Sequence, residues 1–225
     1  MSEGLSAAEV GKDIGHHRSE ARADVISVVE AILLALVALV AGWSGFASAK
    51  WSTESRLSLA QSATARSQAS RAELRALDTR NFDASTFNAW FTAYVAGNQP
   101  AMKIAAKRFR PEFKVAFDAW RAINPETNPT APPGPTYMPQ YKQPDAALAT
   151  ELDKKADEKY LEGQHDASTA DDYVRITVYL ATVLFLVGIS GHFKLRAARY
   201  GLVTIGVIVV IVAVGVLTTL PGPPG

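Results

Sequence analysis

The chain alternates between stretches that are apolar on every face and stretches whose apolar residues recur at every third or fourth position. Three of the former stand out. Residues 25–41 read VISVVEAILLALVALVA, residues 176–189 read ITVYLATVLFLVGI, and residues 202–220 read LVTIGVIVVIVAVGVLTTL. The third carries no charge and as a helix rises roughly 28 Å, against a hydrocarbon core of about 30 Å. Mild flanking residues extend the first two to spanning length, giving 24–47 and 173–193. Backbone groups in lipid must be paired within their own segment, so each run predicts a helix. The expected fold class is all-α. Three transmembrane helices lie at 24–47, 173–193 and 202–220, with an extracytoplasmic helical bundle inserted between the first and second.

The periodic stretches fill that insertion, residues 48–172. From Ser48 to Asp78 there is neither glycine nor proline, so the first span continues as a long helix. Small residues recur along it at Ala35, Ala38, Gly42 and Gly45, and again at Ala60, Ala63, Ser67 and Ser70, with Leu74 and Leu77 beyond. Such a seam lets a second helix approach closely, and Arg56 interrupts it. Phe87, Trp90, Phe91 and Tyr94 then lie on one helix face, with Asp83 as the expected N-cap and Gly97 as the stop. Phe109, Phe113, Ala116, Phe117 and Trp120 form a second stripe, which Pro111 breaks or restarts. Facing stripes predict a small aromatic core; a ligand-binding aromatic box is the alternative. Residues 124–144 form a proline-rich loop, expected to run extended as a spacer or to dock on a partner. From Asp145 a helix resumes with Leu148, Leu152, Ala156 and Tyr160 as its stripe. Gly163 is expected to loosen it before the second span. The two long helices should run antiparallel.

Charge sets the orientation. The gap GHFKLRAARYG between the second and third runs carries Lys194, Arg196 and Arg199 and no acid. Short basic loops remain cytoplasmic, which makes 194–201 a cytoplasmic hairpin tip and 221–225 an extracytoplasmic tail. Residues 1–23, with Lys12, Arg18 and Arg22, agree: N-terminus inside, C-terminus outside. The small residues of FASAK leave open cleavage after Ala49 as at a signal peptide, although Glu30 and an acidic leader argue against it. Between Lys50 and Asp171 there are 16 cations and 15 acids, a balance that steers no charged ligand. Neither this balance nor a basic aromatic patch points to nucleic acid. The chain has no cysteine, which excludes disulfides and thiolate chemistry.

Candidate chemistry is sparse. Glu30 is the one ionisable residue well inside a run, and intramembrane charges are costly enough to be functional candidates. With His192 it forms the candidate intramembrane polar site, its carboxylate pairing with His192 or Lys194 or reaching the interface. Asp13, His16, His17, Glu20 and Asp24 gather near the first span, but adjacent histidines there read more simply as interfacial charge than as metal ligands. His165 and Asp166 have no companion ligands. Gly188, Gly191, Gly201 and Gly206 predict close helix contacts. No phosphate-cradling, nucleophilic or zinc motif occurs, and no cofactor is implied.

A single span leading into LAQSATARSQASRAELRALD, a helical exported region and a closing two-span hairpin resembles uncharacterised bacterial three-span inner-membrane proteins, known as domains of unknown function. The resemblance implies a multi-pass protein of the bacterial inner membrane and transfers no site residue. The function expected is non-enzymatic. The lipid bilayer is one partner, and helix-mediated self-association or binding of an envelope protein supplies the other. A subunit of an oligomeric channel or transporter, with Glu30 at the pore, is the alternative.

Overall fold

The computed structural model describes residues 7–191, 193 and 195–225, with side chains from 27 onward except at 196. Helix α1 runs Ala7–Val95, α2 Gln99–Ala106, α3 Pro111–Ala122, α4 Pro144–Ser190 and α5 Arg196–Leu217; a 3₁₀ turn covers Pro135–Tyr137. Among the described residues there is no strand. Three helices, α1, α4 and α5, contain segments long and apolar enough to cross a membrane.

Two of the boundaries differ from expectation. Helix α1 does not stop and restart at Asp83 but continues unbroken to Val95. No glycine or proline intervenes before Gly97, and the Asp83 carboxylate is engaged elsewhere, so it caps nothing. Gly97 does end the helix, at φ +66°. Its amide donates to the Tyr94 carbonyl at 3.0 Å and the Asn98 amide to that of Ala93 at 2.9 Å, the paired bonds of a left-handed C-terminal cap. At the other boundary, α5 begins at Arg196, so the expected loop 194–201 is mostly its first turns.

The chain forms two compact units. One comprises the chain up to Ser58 together with Glu162–Gly225. Its core is Val37 of α1, Ile176, Leu180, Val183 and Val187 of α4, and Ala213 of α5. At Gly206 α5 packs closely on α4: a Cβ there would lie 2.9 Å from Val187 Cγ2 and 3.3 Å from Val183 Cγ1. Gly188, Gly191 and Gly201 have nothing within 4 Å of that position among the described residues, where Gly206 alone of the four makes the expected close contact. Beyond this core the residues between α1 and α4 become small. Ser44, Ala47, Ser48, Ser55 and Ser58 are buried on α1, and Ser55 Oγ donates to the Gly163 carbonyl at 2.8 Å. Helix α4 passes through Gly163 without a break. Tyr173, fully buried, donates its hydroxyl to the Pro221 carbonyl at 2.9 Å and meets Trp43 edge-on at 6.0 Å.

The other unit is Leu59–Leu161. Here α1 buries Ser62, Ala65, Ala69, Ala72, Ala76, Asp83, Thr86, Trp90 and Ala93. The spacing is three and four in alternation, the repeat that keeps one seam turned to a neighbour. The neighbour is α4, which lies antiparallel: Ser62 Oγ donates to the Ala156 carbonyl at 2.7 Å, and Arg66 forks onto Asp153 and Asp157 at 2.9 and 2.7 Å. Of the expected α4 stripe, Ala156 is buried and Leu152 half-buried, whereas Leu148 and Tyr160 are exposed. Further along α1, Trp90 joins Phe109, Phe113, Phe117, Trp120 and Met138 in an aromatic core. The facing stripes are therefore real. Phe91 alone of the first stripe is exposed. Phe109–Phe113 and Trp90–Phe117 meet edge to face at 5.1 and 4.8 Å, contacts worth about 0.5–1.5 kcal/mol each beyond burial. Pro111 opens α3 at a position where its missing amide costs nothing. The proline-rich loop folds back onto the core rather than running free. Trp120 Nε1 donates to the Pro132 carbonyl at 2.8 Å, Met138 is buried in the core, and Gln143 Nε2 reaches the Ala76 carbonyl at 3.0 Å.

Candidate functional site

Glu30 sits on the α1 face that packs inside its unit and is 8% exposed. Its partner is Arg199, on the second turn of α5. Arg199 Nε donates to Oε1 at 2.8 Å and Nη2 to Oε2 at 2.5 Å, a two-pronged fork on one carboxylate. Nη2 also lies 3.2 Å from Ser27 Oγ. On the α4 side Ser190 Oγ is 2.9 Å from Glu30 Oε1 and 2.7 Å from the Val187 carbonyl. Residues from α1, α4 and α5 thus converge on one charge. Buried charges persist only when paired and hydrogen-bonded, and removing one partner of such a pair typically costs about 3–5 kcal/mol. The arrangement is chemically a clamp: a neutralised pair tying the end of α4 and the start of α5 to the body of α1.

Of the expected partners of Glu30, His192 and Lys194 lie outside the described residues, and the third cation of that group, Arg199, is the one that binds it. The side chain of Arg196 is likewise outside the described residues, as are those of Asp13, His16, His17, Glu20 and Asp24. Among the described residues no three His, Asp or Glu side chains converge as a metal site. His165 is exposed; Asp166 beside it is 4% exposed, and its Oδ2 finds no partner among the described residues.

None of the eight seam positions is buried among the described residues. Ala35, Ala38, Gly42, Gly45, Ala60, Ala63, Ser67 and Ser70 are all exposed. The buried repeat runs one or two residues away from them. Both registers carry small residues at the same period, so spacing alone did not distinguish them.

The second unit contains two polar nodes that sequence reasoning missed. Asp83 is fully buried in mid-helix. Arg110 grips it at 3.0 and 2.8 Å, and the Tyr141 hydroxyl donates to it at 2.9 Å. Burial first, then this hydrogen bond, pushes the Tyr141 hydroxyl up to about 12. The available signal was an acid standing in the same three-four repeat as Ala76 and Trp90. The other node covers the aromatic stripe. The Arg121 guanidinium lies 5.4 Å above Trp90 and 5.1 Å above Tyr94, and it pairs with Glu126, which also accepts the Tyr94 hydroxyl at 2.6 Å. That hydrogen bond from Tyr94, a backbone amide and Arg121 together hold the Glu126 carboxyl down at about 2. The chain's own arginine thus covers a face each of Trp90 and Tyr94.

No protein-family model, curated protein or solved structure matches the chain.

Proposed function

We propose that this is a three-span membrane protein that acts by association rather than by chemistry, using the side of α1 turned away from α4 as its contact surface. The topology follows the charge asymmetry: residues 48–172 extracytoplasmic, the connection before α5 cytoplasmic, the N-terminus inside and the C-terminus outside. The single observation carrying the association is a second three-four repeat on α1. Ala60, Ala63, Ser67, Ser70, Leu74 and Leu77 are exposed, the last two at 61% and 50%. At about 100° per residue they lie roughly opposite the Ala65–Ala69–Ala72–Ala76 seam that meets α4. A helix with small residues on both faces can be held between two neighbours, of which the chain itself supplies one. The occupant proposed is a second copy. Glu30 supports this reading better than a pore, because its oxygens are already taken by Arg199 and Ser190.

The chain has no cysteine, so single substitutions report contacts cleanly. Ala63→Cys and Ser70→Cys in native membranes should form disulfide-linked dimers on mild oxidation, while exposed Gln61→Cys, on a different face of the same helix, should not. Adducts of other mass would replace self-association with an envelope partner. Monomer at every position and concentration would remove association altogether.

A further inference from the structure

The unit containing α4 and α5 has a groove of about 610 Å³ along their outer side. That volume falls in the range of small-molecule sites. Its floor is apolar, formed by Ile176 of α4 and Val209, Val212, Ala213 and Val216 of α5. Its charged groups are gathered at one end, where Asp172, Arg175 and Thr219 lie, and the Tyr179 phenol is a further polar group along the α4 wall. Along α5 it extends from Ile208 to Val216, about 12 Å, and continues past the helix end to Thr219 and Leu220, against about 15 Å for one leaflet of a hydrocarbon core. The shape is that of one acyl chain running inward from a polar anchor at the span ends.

The anchor has two signs. Arg175 Nη1 and Asp172 Oδ1 are 3.2 Å apart, one turn of α4 from each other, and both remain solvent-accessible, Arg175 at 64% of its side chain. A phosphate suits the arginine, and a primary ammonium suits the carboxylate, which can accept its N–H groups. A purely anionic head would meet Asp172 as a repulsion, and a quaternary ammonium offers that carboxylate no N–H. Resting on the membrane-spanning reading above, we propose that this groove binds a phosphoethanolamine lipid, with its phosphate on Arg175, its ammonium on Asp172 and one acyl chain along Ile176, Val209 and Val212.

The test uses the full-length protein in vesicles of equimolar phosphatidylethanolamine, phosphatidylcholine and phosphatidylglycerol, gently extracted and weighed with its retained lipids by native mass spectrometry. One phosphatidylethanolamine should be retained at least threefold over each competitor. Asp172→Asn should erase the preference over phosphatidylcholine and phosphatidylglycerol. Val212→Trp should fill the groove and cut retention severalfold; Val212 is 60% exposed, so the change leaves the core intact. Ile208→Trp repeats the test at a second exposed position, and an unchanged helical circular dichroism spectrum certifies each variant. Retained lipid that mirrors the mixture, or is indifferent to both tryptophans, overturns the proposal. A carbonate wash that strips the protein from vesicles would instead overturn the spanning reading, and the proposal with it.

Discussion

Replacing Asp83 with alanine removes the charge that Arg110 and Tyr141 share beneath the aromatic core. The carboxylate is fully buried and makes three hydrogen bonds, of 2.8, 2.9 and 3.0 Å. Breaking a buried pair typically costs about 3–5 kcal/mol. Arg110 keeps 30% of its side chain in solvent and can rehydrate, which places the loss near the lower end, at about 3 kcal/mol. For a unit of this size that corresponds to a fall in Tm of about 12 °C. Tyr141→Phe deletes a single hydroxyl and should cost about 1 kcal/mol. Asp83→Asn keeps an acceptor for Tyr141 but loses the charge, and should fall between the two. The assay is thermal unfolding of the detergent-solubilised chain followed by the emission of Trp90 and Trp120, both buried in that core. A double-mutant cycle between Asp83→Asn and Tyr141→Phe should show a coupling of about 0.5 kcal/mol or more. An Asp83→Ala loss below about 1 kcal/mol would refute the claim that this node holds the loop and α3 to α1.

The remaining predictions concern the helix clamp, the close approach of α5 and acid stability. Glu30→Gln strips Arg199 of its counter-charge and should destabilise the three-helix unit by about 3 kcal/mol, with Glu30→Gln/Arg199→Gln recovering part of the loss; the change in Tm decides it. Gly206→Val drives a side chain into Val187 and Val183 and should cost about 1–3 kcal/mol, whereas Gly201→Ala, with nothing within 4 Å among the described residues, should not lower Tm and should raise it slightly through alanine's better helix propensity. The Glu126 carboxyl lies at about 2 in the folded chain against an ordinary 4.5, so its contribution is present above pH 4.5 and lost as pH falls toward 2. Acid titration should show a loss of stability in that window that Glu126→Gln lacks. The Tyr141 hydroxyl moves the other way, to about 12, so its contribution is complete below pH 10 and disappears as pH rises through 12.

The parts of this fold that the sequence made legible are those decided by local pattern. Three apolar runs specify three helical segments long and apolar enough to cross a membrane, and aromatic residues at helical spacing in 87–94 and 109–120 specify two faces that meet. Gly97 marks a helix end because that end needs a left-handed residue. The parts that were not legible depend on a partner distant in the chain. Asp83 has the composition of a cap and the location of a buried ligand for Arg110, 27 residues away. In the sequence Arg199 is a topology signal; its pairing with Glu30 spans 169 residues. The small-residue repeat on α1 occurs in two registers, and only the position of α4 shows which one faces inward. The proline-rich loop looked like a spacer because proline composition describes its backbone and not the Trp120 indole that receives it.

The central claim is that residues 48–172 face the compartment opposite the α4–α5 connection. The most direct measurement is labelling of single-cysteine variants in intact cells with a membrane-impermeant maleimide. Thr130→Cys, exposed in the proline-rich loop, should label without permeabilisation, and Ala197→Cys, exposed at the start of α5, only after it. The reverse pattern, or labelling of both positions from the same side, would contradict the account.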